Sequence, residues 1–429
     1  MTLNPDSLTG WAQRLGDASS RVSADFPGDG PERQPVHTVY GGAQLFAATT
    51  TSKLGELALG FAEKWVPDPG SLASIVGISP DLADRVHPAV LDKLNREPVE
   101  DFRIDFEDGY GHRPDDEEDG HAESTAREVI AGMSEGTLPP YIGIRVKSLS
   151  SELHRRSLRT LDLFVTTILS GTGRLPEGFC VTVPKLQDVA QVEVVCEALT
   201  ELESALGIDR IPIELMVETP QMIFDVDGNG GVRKWVEVAD GRVRGAHFGT
   251  YDYTASLNIT ASYQTMDHSA CDFARHVQQV SLAGTGIWIS DGATNVMPVG
   301  DDPEVVHGAM RLHYDHNRHS LSHGYYQGWD LHPAQLVTRY AAVYAFFLEG
   351  LDAAGARLSN FIESAAKATL VGEVFDDAAT GQGLLNYFLR AINCGAITQA
   401  EATSRTGLTI PELQTRSFLR ILEGRRGGS

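Results

Sequence analysis

Short apolar runs recur along the chain, separated by longer stretches in which apolar positions return every three to four residues. The runs are Val36-His37-Thr38-Val39-Tyr40, Phe102 to Phe106, Tyr141 to Val146, Phe179 to Val183, Ile213 to Val217, Gly245 to Phe248, Gly286 to Ile289 and Gly328 to Leu331. Each has the length of a strand. Between them, Leu153 to Leu169, Val189 to Leu206, Ala270 to Leu282 and Val305 to Leu312 carry the spacing of amphipathic helices. Strands alternating with crossover helices predict a parallel sheet, and eight units predict closure into an α/β (β/α)8 barrel, the TIM barrel. An open doubly wound sheet would need a glycine-rich phosphate turn after the first strand. Val39-Tyr40-Gly41-Gly42-Ala43 lacks that G-x-G-x-x-G pattern.

The flanks differ from this rhythm. Residues 1–35 predict an N-terminal helical extension, with a short amphipathic helix around Trp11 to Val22 and a linker at Pro27-Gly28-Asp29-Gly30-Pro31. The barrel is expected over 36–335. Beyond it Leu336 to Leu351, Arg357 to Leu370, Gly381 to Ile392 and Ile410 to Leu422 read as helices, which makes 336–429 a C-terminal helical appendage. The chain has 429 residues, against roughly 250 for a bare barrel, so both additions fit.

A formal charge of -23 argues against nucleic acid or an anionic membrane surface as partner, since either would repel the chain. Cys180, Cys196, Cys271 and Cys394 are widely spaced, without C-x-x-C, and read as reduced thiols. Met1 to Pro27 has no apolar stretch of a signal peptide, and no apolar run approaches the ~20 residues that span a bilayer. A cytoplasmic protein is expected.

Candidate chemistry gathers at the strand ends: Glu107 and Asp108 after the second, Arg145 within the third, Lys185 after the fourth, Glu218 after the fifth, Asp252 after the sixth. Barrel enzymes build their sites at this end, so acids closing consecutive strands point into one mouth. Two carboxylates suit Mg²⁺, which leaves its other positions to water and substrate. A cation held by Glu218 and Asp252 would take the carboxylate and carbonyl oxygens of a 2-oxo acid, with Arg145 neutralising charge on an enolate or alkoxide oxygen. The plainer alternative is that each acid caps the helix that follows it.

These residues lie in motifs that resemble a known superfamily: the HpcH/HpaI aldolases, citrate lyase beta subunits, malyl-CoA lyases and malate synthases. The resemblance spans roughly residues 100 to 395. Ile104-Asp105-Phe106-Glu107-Asp108-Gly109 is similar to the acidic D-x-E-D strand of that group, Ile144-Arg145-Val146 to its arginine strand, and Val183-Pro184-Lys185-Leu186 to its P-K motif. Glu218 in Val217-Glu218-Thr219-Pro220 and Asp252 in Gly249-Thr250-Tyr251-Asp252 match its two magnesium ligands. Gly328-Trp329-Asp330-Leu331-His332-Pro333 resembles the G-x-x-x-H-P of its last strand. Phe375-Asp376-Asp377-Ala378-Ala379-Thr380 is similar to the M-E-D-A-A-T of malate synthases, in which the aspartate matching Asp377 deprotonates acetyl-CoA. The chain departs from that branch at Gln382-Gly383-Leu384-Leu385 and lacks its R-P-R-G-W arginine strand, so glyoxylate and acetyl-CoA are not assumed. Asp377 reads equally well as a helix N-cap.

The resemblance implies a Mg²⁺-dependent carbon–carbon lyase or aldolase, citrate lyase beta-like, working through a metal-stabilised enolate of a small 2-oxo acid or its hydroxy-acid adduct. Glu218 and Asp252 would hold the metal, with Mn²⁺ as an alternative ion. Arg145 would stabilise the oxyanion, Glu107 and Asp108 would bind metal waters or substrate, and Lys185 would fix the carboxylates. One alternative is malate synthase-like condensation with a CoA thioester as co-substrate and Asp377 as base; another is a binding or regulatory barrel without turnover. A homo-oligomer is expected. Three other features read as surface: His313, His316, His319 and His323 as a solvated helix face rather than a transition-metal site, Asp115 to Asp119 as a solvated loop or helix start rather than a weak cation site, and His154-Arg155-Arg156 with Arg159 as a surface helix rather than a contact for a CoA phosphate or substrate carboxylate.

Overall fold

The computed structural model describes residues 4–30, 32–367 and 374–427, with side chains left undescribed over 364–379 and 426–427. All eight expected strands are present: β1 (His37–Gly42), β2 (Asp101–Asp105), β3 (Tyr141–Arg145), β4 (Phe179–Val183), β5 (Ile213–Val217), β6 (Val243–Phe248), β7 (Trp288–Ser290) and β8 (Gly328–Asp330). They pair in parallel in the order β7-β6-β5-β4-β3-β2-β1-β8. The last gap closes just beyond β7, where Asp291 donates its N–H to Gln327 O (2.8 Å) and Trp329 to Gly292 O (3.1 Å). The result is a (β/α)8 barrel with helical additions.

Outward strand positions such as Ile104, Ile144, Val181, Val183, Leu215 and Val217 are fully buried under the helices, which is why these strands read as near-continuous apolar runs. The inward positions are different. Arg103 donates to Thr182 Oγ1 (3.0 Å), Glu214 Oε2 (2.5 Å) and Asp101, and Glu214 also takes His247 Nε2 (2.9 Å) and Arg244 Nη2 (3.0 Å). A buried ion cluster thus fills the barrel where branched apolar side chains usually do. Removing one member strands the rest in a dry interior, so Arg103→Met is expected to cost ~3–5 kcal/mol, read from denaturant unfolding. A loss below ~1 kcal/mol would mean that water or rearrangement compensates the acids.

The β1–β2 connection carries three helices, Thr50–Trp65, Pro69–Val76 and Pro80–Arg96, none of them among the helices read from the sequence. Helix Pro333–Glu349 follows β8 and packs on the first and third of these and on helix Pro303–Ser322, so the boundary drawn at residue 335 falls inside a helix of the barrel wall. Beyond it come Leu351–Lys367, Val374–Asn393, Gln399–Thr406, Ile410–Gln414 and Phe418–Gly427. The expected single helix over Ile410 to Leu422 is broken in two around Arg416, whose φ of 52° is left-handed. At the other end, helix Pro5–Asp25 buries none of its residues. Among the described residues no helix is long and apolar enough to cross a membrane. The four cysteines are free.

The acidic run starts a helix, as expected, with Asp115, Asp116 and Glu117 exposed, but its last two acids meet the basic group. Asp115 opens helix Asp115–Glu135, which packs on helix His154–Thr172. There Glu118, fully buried, pairs with Lys147 Nζ (2.9 Å) and Arg156 Nε (3.4 Å), and Asp119 takes Arg156 (2.5 Å) and Arg159 (2.6 Å). The histidine row is corrected too. His313 is buried between Asp330 Oδ1 (3.0 Å) and Thr338 Oγ1 (2.7 Å), and His316 is buried against Thr294 Oγ1 (2.9 Å). Their helix lies against the barrel there, so these two positions are dry, while His319 and His323 remain part exposed.

Candidate functional site

The six strand-end groups converge at the C-terminal mouth. At β2, Asp105 accepts the backbone N–H groups of Glu107 (2.9 Å) and Gly109 (2.7 Å), which folds the acidic loop back over its strand. Asp105 stands in register with Arg145 on β3, and its carboxylate takes Arg145 Nε (2.7 Å) and Nη2 (2.6 Å) as a two-point clamp. Arg145 Nη1 then points to Glu107 Oε2 (3.5 Å) and Asp108 Oδ2 (3.9 Å). The guanidinium carbon lies 4.8 Å from the Tyr40 ring centre and 5.6 Å from that of Trp329. One donor edge is therefore committed to the scaffold, and the other faces the mouth.

Lys185, just after β4, has φ 51°, a left-handed conformation uncommon for a residue with a side chain and worth about 1–3 kcal/mol of strain. That turn aims its N–H at Glu218 Oε1 (2.6 Å) and its ammonium at Glu107 Oε1 (2.6 Å), Asp108 (2.9 Å) and Asp252 Oδ2 (3.6 Å). Glu218 follows β5 and is buried, whereas Asp252, in helix Thr250–Ser256 after β6, is half exposed. Thr250 Oγ1, next to it, is buried without a hydrogen-bond partner.

Electrostatics single out two carboxyls. Burial, with Asp252 adding its charge, pushes Glu218 up to about 8. Burial also raises Glu107, to about 7, against the pull of Arg145 and Lys185. Burial would raise Asp108 as well, but hydrogen bonds from Glu107 and Lys185 outweigh it and hold Asp108 below the usual range. The cluster sets five carboxylates, Asp105 included, against Arg145 and Lys185, and Arg145 is largely spent on Asp105. A buried, poorly ionised Glu218 beside Asp252 in such a surplus of oxygen anions fits a hard divalent cation.

Gly249 makes room for Glu218: a Cβ there would sit 2.5 Å from both Glu218 Cβ and Oε2. Its φ of -104° suits any residue, so Gly249→Ala is expected to fold yet displace this carboxylate and weaken Mg²⁺ binding by ~10–100-fold, the range for changes beside a metal ligand. Calorimetric titration checks this. Unchanged affinity would show that Glu218 does not bind the ion.

The structure thus brings Glu107, Asp108, Arg145, Lys185, Glu218 and Asp252 together. Asp377 falls within helix Val374–Asn393, but its side chain lies outside the described residues. Three residues at the site carry roles that were not expected from the sequence: Asp105, Tyr40 and Trp329. Asp105 was visible as the acid one pleat below Glu107, opposite Arg145. The rings had no signal beyond an inward position on β1 and β8. Asp330, in the last-strand motif, is buried between Arg339, His313 and His37 and supports the barrel wall.

Fold and site define an α/β barrel with a carboxylate-rich mouth. The chain belongs to the family described as Domain of unknown function (DUF6986), which matches residues 15–421. Comparison with curated proteins gave no match. Among solved structures, a citrate lyase from Burkholderia xenovorans LB400 is similar at 19% identity and TM-score 0.54, covering 88% of this chain and 98% of the other. A Haloferax volcanii malate synthase follows at 14% identity and TM-score 0.47, covering 92% and 98%. The citrate lyase beta subunit of M. tuberculosis, complexed with oxaloacetate and magnesium, stands at 13% and 0.41, covering 72% and 96%. The first of these likenesses shows a shared fold.

Proposed function

We propose that the chain is a Mg²⁺-dependent carbon–carbon lyase or aldolase acting on a small 2-oxo acid or the hydroxy acid formed from it. The observation that carries this reading is the buried Glu218 carboxyl beside Asp252, at the ends of consecutive strands and within reach of Lys185 and Arg145. Glu218 and Asp252 would hold the ion, with Mn²⁺ as an alternative. When bound, it supplies Lewis-acid polarisation of the substrate carbonyl. Arg145, pre-oriented by Asp105 and the two rings, presents Nη1 to oxygen that gains negative charge as the carbon–carbon bond breaks. Lys185 draws the carboxylates together and keeps Glu107 and Asp108 at the mouth. Glu107, at about 7, holds a proton near neutrality and is suited to pass it to or from the reacting carbon.

Mg²⁺ titration of chelator-treated protein, followed by a screen of hydroxy acids for release of pyruvate, oxaloacetate or glyoxylate, tests the reading. Mg²⁺-dependent release without CoA is the expected result. Absence of any Mg²⁺ binding would overturn it. An obligatory acyl-CoA, with condensation lost in Asp377→Asn, would replace it by the malate synthase-like reaction.

A further inference from the structure

On the outer helical layer, helix Ser269–Leu282 after β6 and helix Pro303–Ser322 after β7 each offer a pair of side chains four residues apart. Asp272 and His276 lie on the first; His319 and His323 lie at the C-terminal end of the second. Residues at this spacing share a helix face. The two pairs meet: His319 Nε2 is 2.8 Å from Asp272 Oδ1, the His319 and His323 ring centres are 4.3 Å apart, and those of His276 and His323 are 5.8 Å apart. Among the described residues, Asp272, His319 and His323 form the one group of three such ligands whose donor atoms all lie within 4.8 Å of one another.

A second observation points to a ligand. His323 Nδ1 lies 2.8 Å from the main-chain oxygen of His319. Nδ1 also lies 3.2 Å from Ser322 Oγ, and donation from Nδ1 to the carbonyl leaves the Nε2 lone pair for a ligand. This is the arrangement by which metal-binding histidines fix tautomer and ring orientation, donating the far N–H to a backbone carbonyl. Gln279 Nε2 donates to His323 O (2.9 Å), which ties the residue to the neighbouring helix. Asp272 shares Oδ1 with Arg275 Nη2 (2.5 Å), and its Oδ2 remains for an ion.

We propose that Asp272, His319 and His323 bind a divalent transition ion of the zinc class, with water or His276 in the fourth position. Two or three imidazoles and one carboxylate select zinc, cobalt or nickel over magnesium, which prefers oxygen throughout. Zn–N bonds of ~2.0–2.1 Å put tetrahedral ligand atoms ~3.4 Å apart, so the present spacing closes with small side-chain rotations. The ion takes the place of the His319–Asp272 hydrogen bond, the Nε2 proton moving to Nδ1 of a neutral ring or to solvent from a cationic one, and clips the two outer helices together. This site is independent of the proposed reaction at the barrel mouth.

Cobalt serves as the spectroscopic probe and zinc as the affinity probe, on chelator-treated protein freed of any histidine tag. Wild type is expected to show the strong visible absorption of cobalt in a tetrahedral nitrogen-containing site. Zinc affinity should fall more than ~100-fold in His319→Ala and His323→Ala, beyond the ~10–100-fold of outer-shell changes. Glu218→Gln, which alters only the mouth, should keep both signals. Unchanged zinc affinity in both histidine variants, or loss of the cobalt bands in Glu218→Gln alone, would overturn the proposal. His319 also pairs with Asp272, so should His319→Ala prove unstable without metal, His323→Ala decides.

Discussion

Arg145→Lys is expected to keep the barrel and lose on the order of 10²-fold or more in turnover. Arg145 holds Asp105 with Nε and Nη2 and offers Nη1 to the mouth. An ammonium can replace one of those edges but not both. Placed on Asp105, it leaves the developing oxyanion without its donor; placed toward the mouth, it breaks the clamp that shapes the Glu107–Gly109 turn. The change should lower kcat and kcat/KM together, since the interaction is stronger in the transition state than with bound substrate. A rise in KM with kcat unchanged would make Arg145 a binding group. Near wild-type turnover would make it structural and shift charge stabilisation to Lys185 and the ion.

The barrel was legible because strand and helix periods differ and because the outward strand positions, buried under the helices, are apolar. The candidate site was legible because acids closing β5 and β6 must face one mouth. What escaped has physical causes. The helices between β1 and β2 and the ion cluster around Arg103 depend on contacts between residues far apart in sequence: Arg103 meets Glu214 across the barrel, and no local pattern marks an inward arginine as buried. Glu118 and Arg156 looked like surface charge for the same reason, since their partners come from another helix far along the chain. The histidine row divided in two: His313 and His316 face the barrel wall, while His319 and His323, one turn further, reach the neighbouring helix. Tyr40 and Trp329 needed the closure of β8 on β1 before they could flank Arg145.

Glu218→Gln is expected to abolish Mg²⁺ binding and with it all metal-dependent turnover, and its pH behaviour separates a ligand from a scaffold residue. In the metal-free fold, burial and Asp252 push the Glu218 carboxyl up to about 8, whereas an unfolded chain ionises glutamate near 4.3. Between those values the folded protein keeps a proton that the unfolded chain has released. Stability without metal should therefore fall as pH rises from about 4.3 to about 8 and level off above it. Mg²⁺ needs the carboxylate, so binding at pH 7 should release a proton from Glu218, and affinity should climb with pH until about 8. At a hundredfold excess over Kd the ion should add ~2.7 kcal/mol to wild-type stability. The glutamine amide carries neither the charge nor the titrating proton. The variant should lose this stabilisation and proton release, and without metal at pH 8 it should be more stable than wild type. Melting curves with and without Mg²⁺ across this pH range, with proton release followed in weak buffer, check each sign. A variant that retains the Mg²⁺-dependent shift would place the ion elsewhere and remove the central premise of the proposed reaction.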